Sequence, residues 1–449
     1  MEFINFIWAG LAVGLSGIGV AIGQGILAKT ATEVIWKNKE MSGFFLTVTI
    51  LGIALVESAV IYGLIIAFQI IGTEAMTLSA SVGAGLAIGL AGMGAGIGEG
   101  KLIAWALTAM EKNPAIKAKL MTFMVLFIAL VESSAIYGLV IAFQIIGADD
   151  LAKNAFLGMG FAIGLAGLGV AIGHGIIANK AMIVIGKRPQ MMSFFLTVTI
   201  LGVALVESAA IYGLVVAFDI LGKDLSLYAS MGAGLAIGLT GMGAGIGEGT
   251  LIAWAIQSME RNPNIKGKLL TFMVLFVALV EVTAIYGLII AFQISGASTP
   301  DTMLFLSAGL AIGLAGLGVG IGRGYLSEES LIIMGRNPGL IWFILTVSIL
   351  GVALVESAAI YALIVAFQIL GADALAPLAA LGAGLAIGLA GLGAGIGEGL
   401  LIKGALNGMN KSPDEKGKIL AFMVLFVALI EVVAIYGLII AFQALGTAA

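Results

Sequence analysis

Long apolar stretches, separated by short polar segments, recur along the whole chain. Each stretch exceeds the roughly 20 residues that an α-helix needs to cross a hydrocarbon core of about 30 Å. Their polarity does not alternate residue by residue, as it does in membrane β-strands. The pattern therefore predicts an all-α transmembrane protein.

A motif that first occurs as LVESAVIYGLIIAFQ at 55–69 returns five more times, and successive copies of its glutamate are 74 or 75 residues apart. Every repeat also has a glycine-rich span, such as GLAGMGAGIGEG at 89–100. A polar turn such as Glu111-Lys112-Asn113-Pro114 separates the two spans. The repeat predicts twelve helices in six tandem helical hairpins, at 1–73, 74–148, 149–223, 224–298, 299–372 and 373–449.

The hairpins also alternate. Hairpins 2, 4 and 6 share GAGIGEG, at 94–100, 243–249 and 393–399, whereas hairpins 1, 3 and 5 read GVAIGQG, GVAIGHG and GVGIGRG. The chain is thus a two-hairpin unit used three times.

Glycine recurs every second to fourth residue in the first span of each hairpin, as at Gly92, Gly94 and Gly96. Glycine weakens an isolated helix but removes side-chain bulk, so that helix backbones approach closely in lipid. The second span carries Leu, Ile, Phe and Met, which suits a wall that faces lipid. We expect a ring of glycine-rich inner helices inside bulky outer helices. Generic small-residue packing, as in any transporter, is the alternative.

Composition excludes several classes of protein. With 61% hydrophobic and 10% charged residues and a mean hydropathy of +1.17, the chain is not water-soluble. The lack of cysteine excludes disulfides and thiol-ligated metals. A net charge of −4 indicates no nucleic-acid partner. The string GAGIGEGK at 94–101 resembles a phosphate loop but lacks its Lys-Ser/Thr ending, so we expect no nucleotide site.

The basic residues predict the orientation in the membrane. Nearly all lie at the polar turns or the adjoining helix ends, which predicts cytoplasmic turns and both termini on the opposite side. Only Lys153 and Lys223 lie in the linkers between hairpins. The acidic linker residues are Glu74, Asp149, Asp150, Asp224, Asp301 and Asp373.

A carboxylate in the middle of an apolar span is costly unless it is protonated or paired, so six in register predict an ion or proton site. A structural hydrogen bond between helices is the alternative. The six are Glu57, Glu132, Glu207, Glu281, Glu356 and Glu431. A polar residue lies 33 positions before each of them, at the same depth across the turn: Gln24, Glu99, His174, Glu248, Arg323 and Glu398.

A tyrosine follows each glutamate by five positions, namely Tyr62, Tyr137, Tyr212, Tyr286, Tyr361 and Tyr436. Ser58 and Tyr62 share a helix face, while Glu57 is rotated about 100° away. This geometry favours a site divided between neighbours, in which the glutamate of one hairpin faces the hydroxyl of the next.

At these residues the chain resembles the c subunit, or proteolipid, of rotary ATP synthases and ATPases, over essentially its whole length. The glycine-repeat inner helix, the turn such as Arg261-Asn262-Pro263 and the outer-helix carboxylate carry the resemblance. It implies a rotor that receives a cation from an a-type protein of the stator, with an arginine of the stator displacing the ion. It also implies central-stalk partners at the turns, further copies that close the ring, surrounding lipid, and no cofactor or catalytic residue.

In the sodium-carrying branch of this family, an inner-helix Gln or Glu and the outer-helix Glu join a serine hydroxyl and a backbone carbonyl of the neighbour. The resemblance assigns these roles to Gln24, Glu57, Ser58 and Tyr62, and to Glu99, Glu132, Ser133 and Tyr137. Ser208 and Ser357 follow the glutamates of hairpins 3 and 5 in the same way. The carbonyls would be those of Leu55 and Leu130. We expect Na⁺, since oxygen ligands suit a hard cation. A proton-coupled rotor is second, and a repeat-built channel or transporter is third.

The hairpins are not equivalent. In hairpins 2, 4 and 6 two carboxylates meet, and they do not both ionise without a bound cation. In hairpin 5 we expect an ion pair of Arg323 with Glu356 that competes with cation binding. Our hypothesis is that the three two-carboxylate sites bind the cation well and that the sites at Arg323 and His174 are weakened or silent. In the alternative, Arg323 extends into the ring interior and all six sites work.

Overall fold

A computed structural model describes residues 2–73, 76–149, 154–297, 303–372 and 375–446. Five of the predicted linker residues, Glu74, Asp150, Lys153, Asp301 and Asp373, lie outside these ranges. The helices are, in chain order, α1 (Glu2–Lys37), α2 (Ser42–Val56), α3 (Ser58–Gly72), α4 (Leu78–Lys112), α5 (Lys117–Ile146), α6 (Phe156–Lys187), α7 (Met192–Leu221), α8 (Leu227–Arg261), α9 (Lys266–Ser295), α10 (Met303–Arg336), α11 (Ile341–Leu370), α12 (Pro377–Lys411) and α13 (Lys416–Gly446).

Helices α2 and α3 form a single span that is divided at Glu57, so the described residues contain twelve spans long and apolar enough to cross a membrane. The predicted all-α fold of six hairpins is therefore confirmed, and the protein is an integral membrane protein. We call α1, α4, α6, α8, α10 and α12 the inner helices and the remaining helices the outer helices.

A short 3₁₀ turn joins the two helices of every hairpin. In hairpins 2 to 6 it begins with a proline, as at Pro114, because the proline ring drives the preceding residue out of the helical region. Asn113 has φ −139° and ψ 75°, and Asn38 of hairpin 1, which precedes Lys39 rather than a proline, has a similar φ of −128° and ψ of 81°. The side chain of Asn113 donates to the carbonyl oxygen of Gly186 at 3.2 Å, which ties the turn of hairpin 2 to hairpin 3.

Glycine allows the inner helices to touch backbone to backbone. A Cβ atom on Gly96 would overlap the backbone of Val20, and one on Gly100 would overlap Gly23. The contact of Gly100 recurs at each later boundary, where Gly175, Gly249, Gly324 and Gly399 meet Gly98, Gly173, Gly247 and Gly322. In a lipid environment, such close packing contributes much of the attraction between helices.

The outer helices carry bulky side chains on the outside, where Ile50 and Phe68 are 60% and 65% exposed. Exposed apolar side chains at this density suit contact with lipid rather than water. Outer helices that carry Leu, Ile and Phe cannot approach one another as closely as glycine helices do. Successive inner helices are accordingly in more extensive contact with one another than successive outer helices are.

The two ends of the row remain uncovered. A Cβ atom added to Gly10, Gly14 or Gly25 on α1 would meet nothing within 4 Å. The equivalent glycines of later hairpins meet the preceding inner helix, as Gly100 meets Gly23. At the other end, Tyr436 is 63% exposed. Hairpins 1 and 6 thus present complementary surfaces of the kind that the interior boundaries bury.

Candidate ion-binding sites at the hairpin boundaries

Five tyrosines join neighbouring hairpins through their glutamates. The hydroxyl of Tyr62 donates to Glu132 Oε1 at 2.7 Å. We number each site by the hairpin that supplies its glutamate, so Glu132 belongs to site 2. The same bond recurs from Tyr137 to Glu207 at 2.6 Å, from Tyr212 to Glu281 at 2.7 Å, from Tyr286 to Glu356 at 2.5 Å and from Tyr361 to Glu431 at 2.6 Å.

Sites 2, 4 and 6 contain a second carboxylate, which comes from the inner helix of the same hairpin. Glu99, Glu248 and Glu398 are completely buried. None of their carboxylate oxygens has a hydrogen-bond partner among the described residues. Glu132, Glu281 and Glu431 act on them electrostatically. Buried polar atoms are normally satisfied, so these oxygens are the atoms available to bind a cation or a proton.

The residue after each glutamate lies one helical turn before the tyrosine and on the same helix face. Ser58 and Ser208 donate to the carbonyl oxygens of Leu55 and Leu205, each at 2.8 Å. Because the tyrosine of the same helix reaches the next hairpin, this residue faces the next site as well. The residues in question are Ser58 for site 2, Ser133 for site 3, Ser208 for site 4, Val282 for site 5 and Ser357 for site 6.

Site 1 contains only the part that this chain supplies. Gln24 Nε2 donates to Glu57 Oε1 at 3.2 Å and approaches the carbonyl oxygen of Ile53 at 3.5 Å. No tyrosine of the described residues donates to Glu57. The sixth predicted tyrosine, Tyr436, lies on the uncovered face of hairpin 6 and meets no glutamate of its own chain among those residues.

His174 occupies site 3 between two backbone carbonyls. Its Nδ1 atom lies 3.1 Å from the carbonyl oxygen of Leu130 in hairpin 2, and its Nε2 atom lies 3.0 Å from that of Val203 in hairpin 3. Both oxygens are acceptors, so both hydrogen bonds form only when each ring nitrogen carries a proton. Within the described ranges, His174 makes no hydrogen bond to Glu207.

Arg323 bridges the two sides of site 5. Its Nη1 atom donates to the carbonyl oxygen of Leu279 in hairpin 4 at 2.7 Å, and Nη2 lies 2.6 Å from Glu356 Oε2. The predicted ion pair therefore forms. Leu279 precedes its glutamate by two residues, as Leu130 does, so His174 and Arg323 reach equivalent carbonyls.

Sequence reasoning missed the carbonyls of Ile53 and Val203, four residues before their glutamates, which face the inner-helix side chains. No side chain marks a carbonyl. A helical wheel of the outer helix, aligned with the inner-helix donor, is the signal that could have found them. The described residues contain no group of three or more His, Cys, Asp or Glu side chains that could hold a metal ion.

A row of membrane hairpins whose glycine-rich inner helices pack together, with a carboxylate at every boundary, is the arrangement of a membrane rotor protein. Comparison with known families agrees with this class. The profile of the ATP synthase C-subunit family matches residues 7–70, 82–145, 157–220, 231–294, 306–369 and 381–444, once in each hairpin. The chain belongs to this family and is a c-type rotor component of a rotary ATP synthase.

Several known proteins are similar to this chain. The K subunit of the A-type ATP synthase of Methanocaldococcus jannaschii is 37% identical over 221 residues, which cover 48% of this chain and 94% of that protein. The ATP synthase c subunit of Clostridium beijerinckii is 44% identical over 66 residues, 15% of this chain and 92% of that protein. The c subunit of the Bacillus thuringiensis enzyme is 48% identical over 60 residues, 13% of this chain and 83% of that protein.

Proposed function

We propose that this rotor protein carries Na⁺ on its intramembrane glutamates, and that ion movement is coupled to rotation of the ring. One observation carries the proposal. In site 2 the oxygens of Glu99 are buried without a hydrogen-bond partner among the described residues, beside a glutamate that Tyr62 already holds in place. A compact set of carboxylate, hydroxyl and carbonyl oxygens suits a hard cation.

The positive charge of the ion would also resolve the repulsion between the two carboxylates. Two acids in one apolar site do not both ionise on their own, because each charge disfavours the other and burial disfavours both. With a Na⁺ ion between Glu99 and Glu132, the site would have a net charge of −1 if both acids are ionised. Its net charge would be zero if one acid keeps its proton. The nearby Ser58 hydroxyl would then turn from the carbonyl of Leu55 to the ion.

Transport requires partners outside this chain. A stationary a-type protein would offer each glutamate a cation through one half-channel and remove it through another, after the ring has turned. Central-stalk proteins would contact the polar turns, which the basic residues favour on the cytoplasmic side, with both termini opposite. Lipid would cover the exposed outer helices.

Further copies of the chain would close the ring. Tyr436 lies on the uncovered face of hairpin 6. The five other outer-helix glutamates each accept a hydrogen bond from a tyrosine, but among the described residues Glu57 of hairpin 1 accepts one only from Gln24. A second copy that places its Tyr436 beside Glu57 would repeat the tyrosine–glutamate contact seen between hairpins 1 and 2, with Val432 in the place of Ser58. Site 1 is complete only in such an assembly. We propose that each of the six hairpin ranges given above forms one structural unit of the ring.

A proton-coupled rotor is the second candidate. The hydrogen bond from Tyr62 to Glu132 would hold a protonated carboxyl as well as an ionised one. Proton and sodium carriers differ in whether Na⁺ competes with the proton at the glutamate.

Carbodiimide labelling of the intact ring tests the choice. The reagent modifies a protonated carboxyl, so Na⁺ should protect Glu132, Glu281 and Glu431 in a concentration-dependent way. The variant E132Q should lose only the label at its own site. Labelling that Na⁺ does not slow at any pH would exclude sodium coupling and leave the proton rotor.

A further inference from the structure

Arg323 is a cation built into the middle of a membrane site. Its side chain is 1% exposed, which makes it one of the largest fully buried side chains among the described residues. A buried guanidinium is costly unless its charge and its donors are matched. Glu356 Oε2 balances the charge at Nη2 and the carbonyl oxygen of Leu279 accepts from Nη1, while Nε has no hydrogen-bond partner among the described residues.

These contacts leave site 5 without a ligand for an external ion. Tyr286 donates to one oxygen of Glu356, and Arg323 forms an ion pair with the other. Arg323 Nη1 also donates to the carbonyl oxygen of Leu279. Val282 stands where the four other boundaries within the chain have a serine, so the neighbour offers no hydroxyl at this position. In site 2, by contrast, both oxygens of Glu99 have no hydrogen-bond partner among the described residues.

We propose that Arg323 is a tethered cation that takes the place of the transported ion in site 5, so that Glu356 does not carry ions. The inference deepens the proposed function, because it assumes that the other glutamates are carriers. The guanidinium stays charged at all accessible pH and is covalently attached, so rotation cannot release it. Each passage of this chain past the stator would then move at most five ions on six glutamates.

His174 occupies the inner-helix position in site 3 that Arg323 occupies in site 5. A basic residue at this position does not by itself block the glutamate. His174 reaches the carbonyl of Leu130, equivalent to that of Leu279, but makes no hydrogen bond to Glu207 within the described part of the chain. One carboxylate oxygen of Glu207 accepts a hydrogen bond from Tyr137, and the other accepts none from the described residues. Site 3 therefore differs from site 5 in the ion pair itself, and it serves as an internal comparison.

A rotor with a closed site has a mechanical consequence. Fewer ions cross per revolution than there are hairpins, while the ATP turned over per revolution is set elsewhere in the complex. More free energy from ATP is then available for each ion, which favours pumping against a steep gradient. The neutral pair of Arg323 and Glu356 would also pass the stator without presenting a free charge to lipid.

Carbodiimide labelling of the wild-type ring, read by peptide mass spectrometry, tests the proposal. We expect Glu356 to react about 100-fold more slowly than Glu57, since a carboxylate released from a buried ion pair leaves an uncompensated charge. Labelling of Glu356 at a rate similar to that of Glu57 would overturn the proposal.

The variant R323Q gives site 5 the glutamine–glutamate pair that Gln24 and Glu57 form in site 1. The matched control is H174Q. In R323Q rings we expect Glu356 to become reactive and the number of ions bound per chain to rise by one. H174Q should leave Glu356 unreactive. Assembly of each variant is checked by native electrophoresis. If R323Q does not assemble, the wild-type rate at Glu356 still decides the matter.

This result is separable from the choice of ion. Should Na⁺ protect no glutamate while Glu356 alone stays unreactive, the sodium proposal fails and the tethered cation stands. Should Na⁺ protect all six glutamates, including Glu356, the sodium proposal stands and the tethered cation fails.

Discussion

The hydroxyl of Tyr62 donates a hydrogen bond to Glu132 Oε1 at 2.7 Å, across the boundary between two hairpins of one chain. Four further tyrosine–glutamate pairs repeat it. Each of these glutamates is thus positioned by a side chain of the preceding hairpin. Because the hairpins are fused, the identity of each neighbour is fixed by the sequence, which a ring of separate identical hairpins could not achieve.

Removing the Tyr62 hydroxyl should weaken ion binding at Glu132. In Y62F we expect Na⁺ protection of Glu132 to require about 10- to 100-fold more Na⁺, since a hydrogen bond to a charged group contributes about 1.5–3 kcal/mol. Labelling of Glu132 in intact rings at a series of Na⁺ concentrations measures the change.

Two observations control this experiment. Glu281, which Tyr212 holds, should keep its wild-type protection in the same Y62F sample. The variant Y325F alters an inner-helix tyrosine outside the sites and should leave Glu132 unchanged. An unaltered protection curve for Glu132 in Y62F would mean that the hydrogen bond does not support binding.

The serine next to each glutamate should serve the following site rather than its own. In S58A we expect roughly 5-fold weaker Na⁺ protection of Glu132 and little change at Glu57, because one neutral ligand contributes about 1 kcal/mol. S133A is the matched variant, since it should spare Glu132 and affect Glu207. The opposite assignment, with S58A acting on Glu57, would reverse the direction in which the hairpins share their sites.

Much of this architecture follows from the sequence. The apolar runs, the repeat period and the prolines of the turns suffice for twelve helices in six hairpins, because lipid permits few alternatives to a helix. The constant spacing of Glu99 and Glu132 placed both at one depth. The sequence predicted that each site is divided between neighbours, but it placed the hydroxyl on the next hairpin, whereas Tyr62 of the preceding hairpin bonds Glu132. This direction depends on packing between hairpins. Nor could it identify the carbonyls of Ile53 and Val203, because any residue supplies a carbonyl.

The second carboxylate of the even sites should tune binding without being essential. E99Q converts site 2 to the Gln–Glu pairing of site 1, so we expect Glu132 to remain a carrier. The substitution removes the repulsion between the two acids. We therefore expect the Na⁺ affinity of site 2 to change by about 10-fold, the size of effect that corresponds to a shift of about one unit in the pKa of a carboxyl beside a charge. E132Q, in contrast, should abolish binding at site 2. Equal loss in E99Q and E132Q would show that Glu99 is itself an obligatory ligand.

We expect closure of the ring to depend on glycines of α1 that are not in contact with any described residue of a preceding hairpin. Gly25 is equivalent to Gly100, where a Cβ atom would overlap Gly23 of the preceding hairpin. We expect G25A to preserve the folded chain but to block assembly of closed rings, as seen by particle imaging. G267A is the control, because an added Cβ there also meets nothing within 4 Å and hairpin 2 already has Ala118 at the equivalent position. Normal rings from G25A would place the contact between copies elsewhere.

The most direct test of sodium transport on the paired carboxylates is a density map of the isolated ring, prepared in Na⁺ and resolved at each glutamate. We predict ion density between Glu99 and Glu132, and at the matching pairs of sites 4 and 6, with Arg323 filling site 5. A map with no ion at any of the three paired sites in saturating Na⁺ would contradict the account.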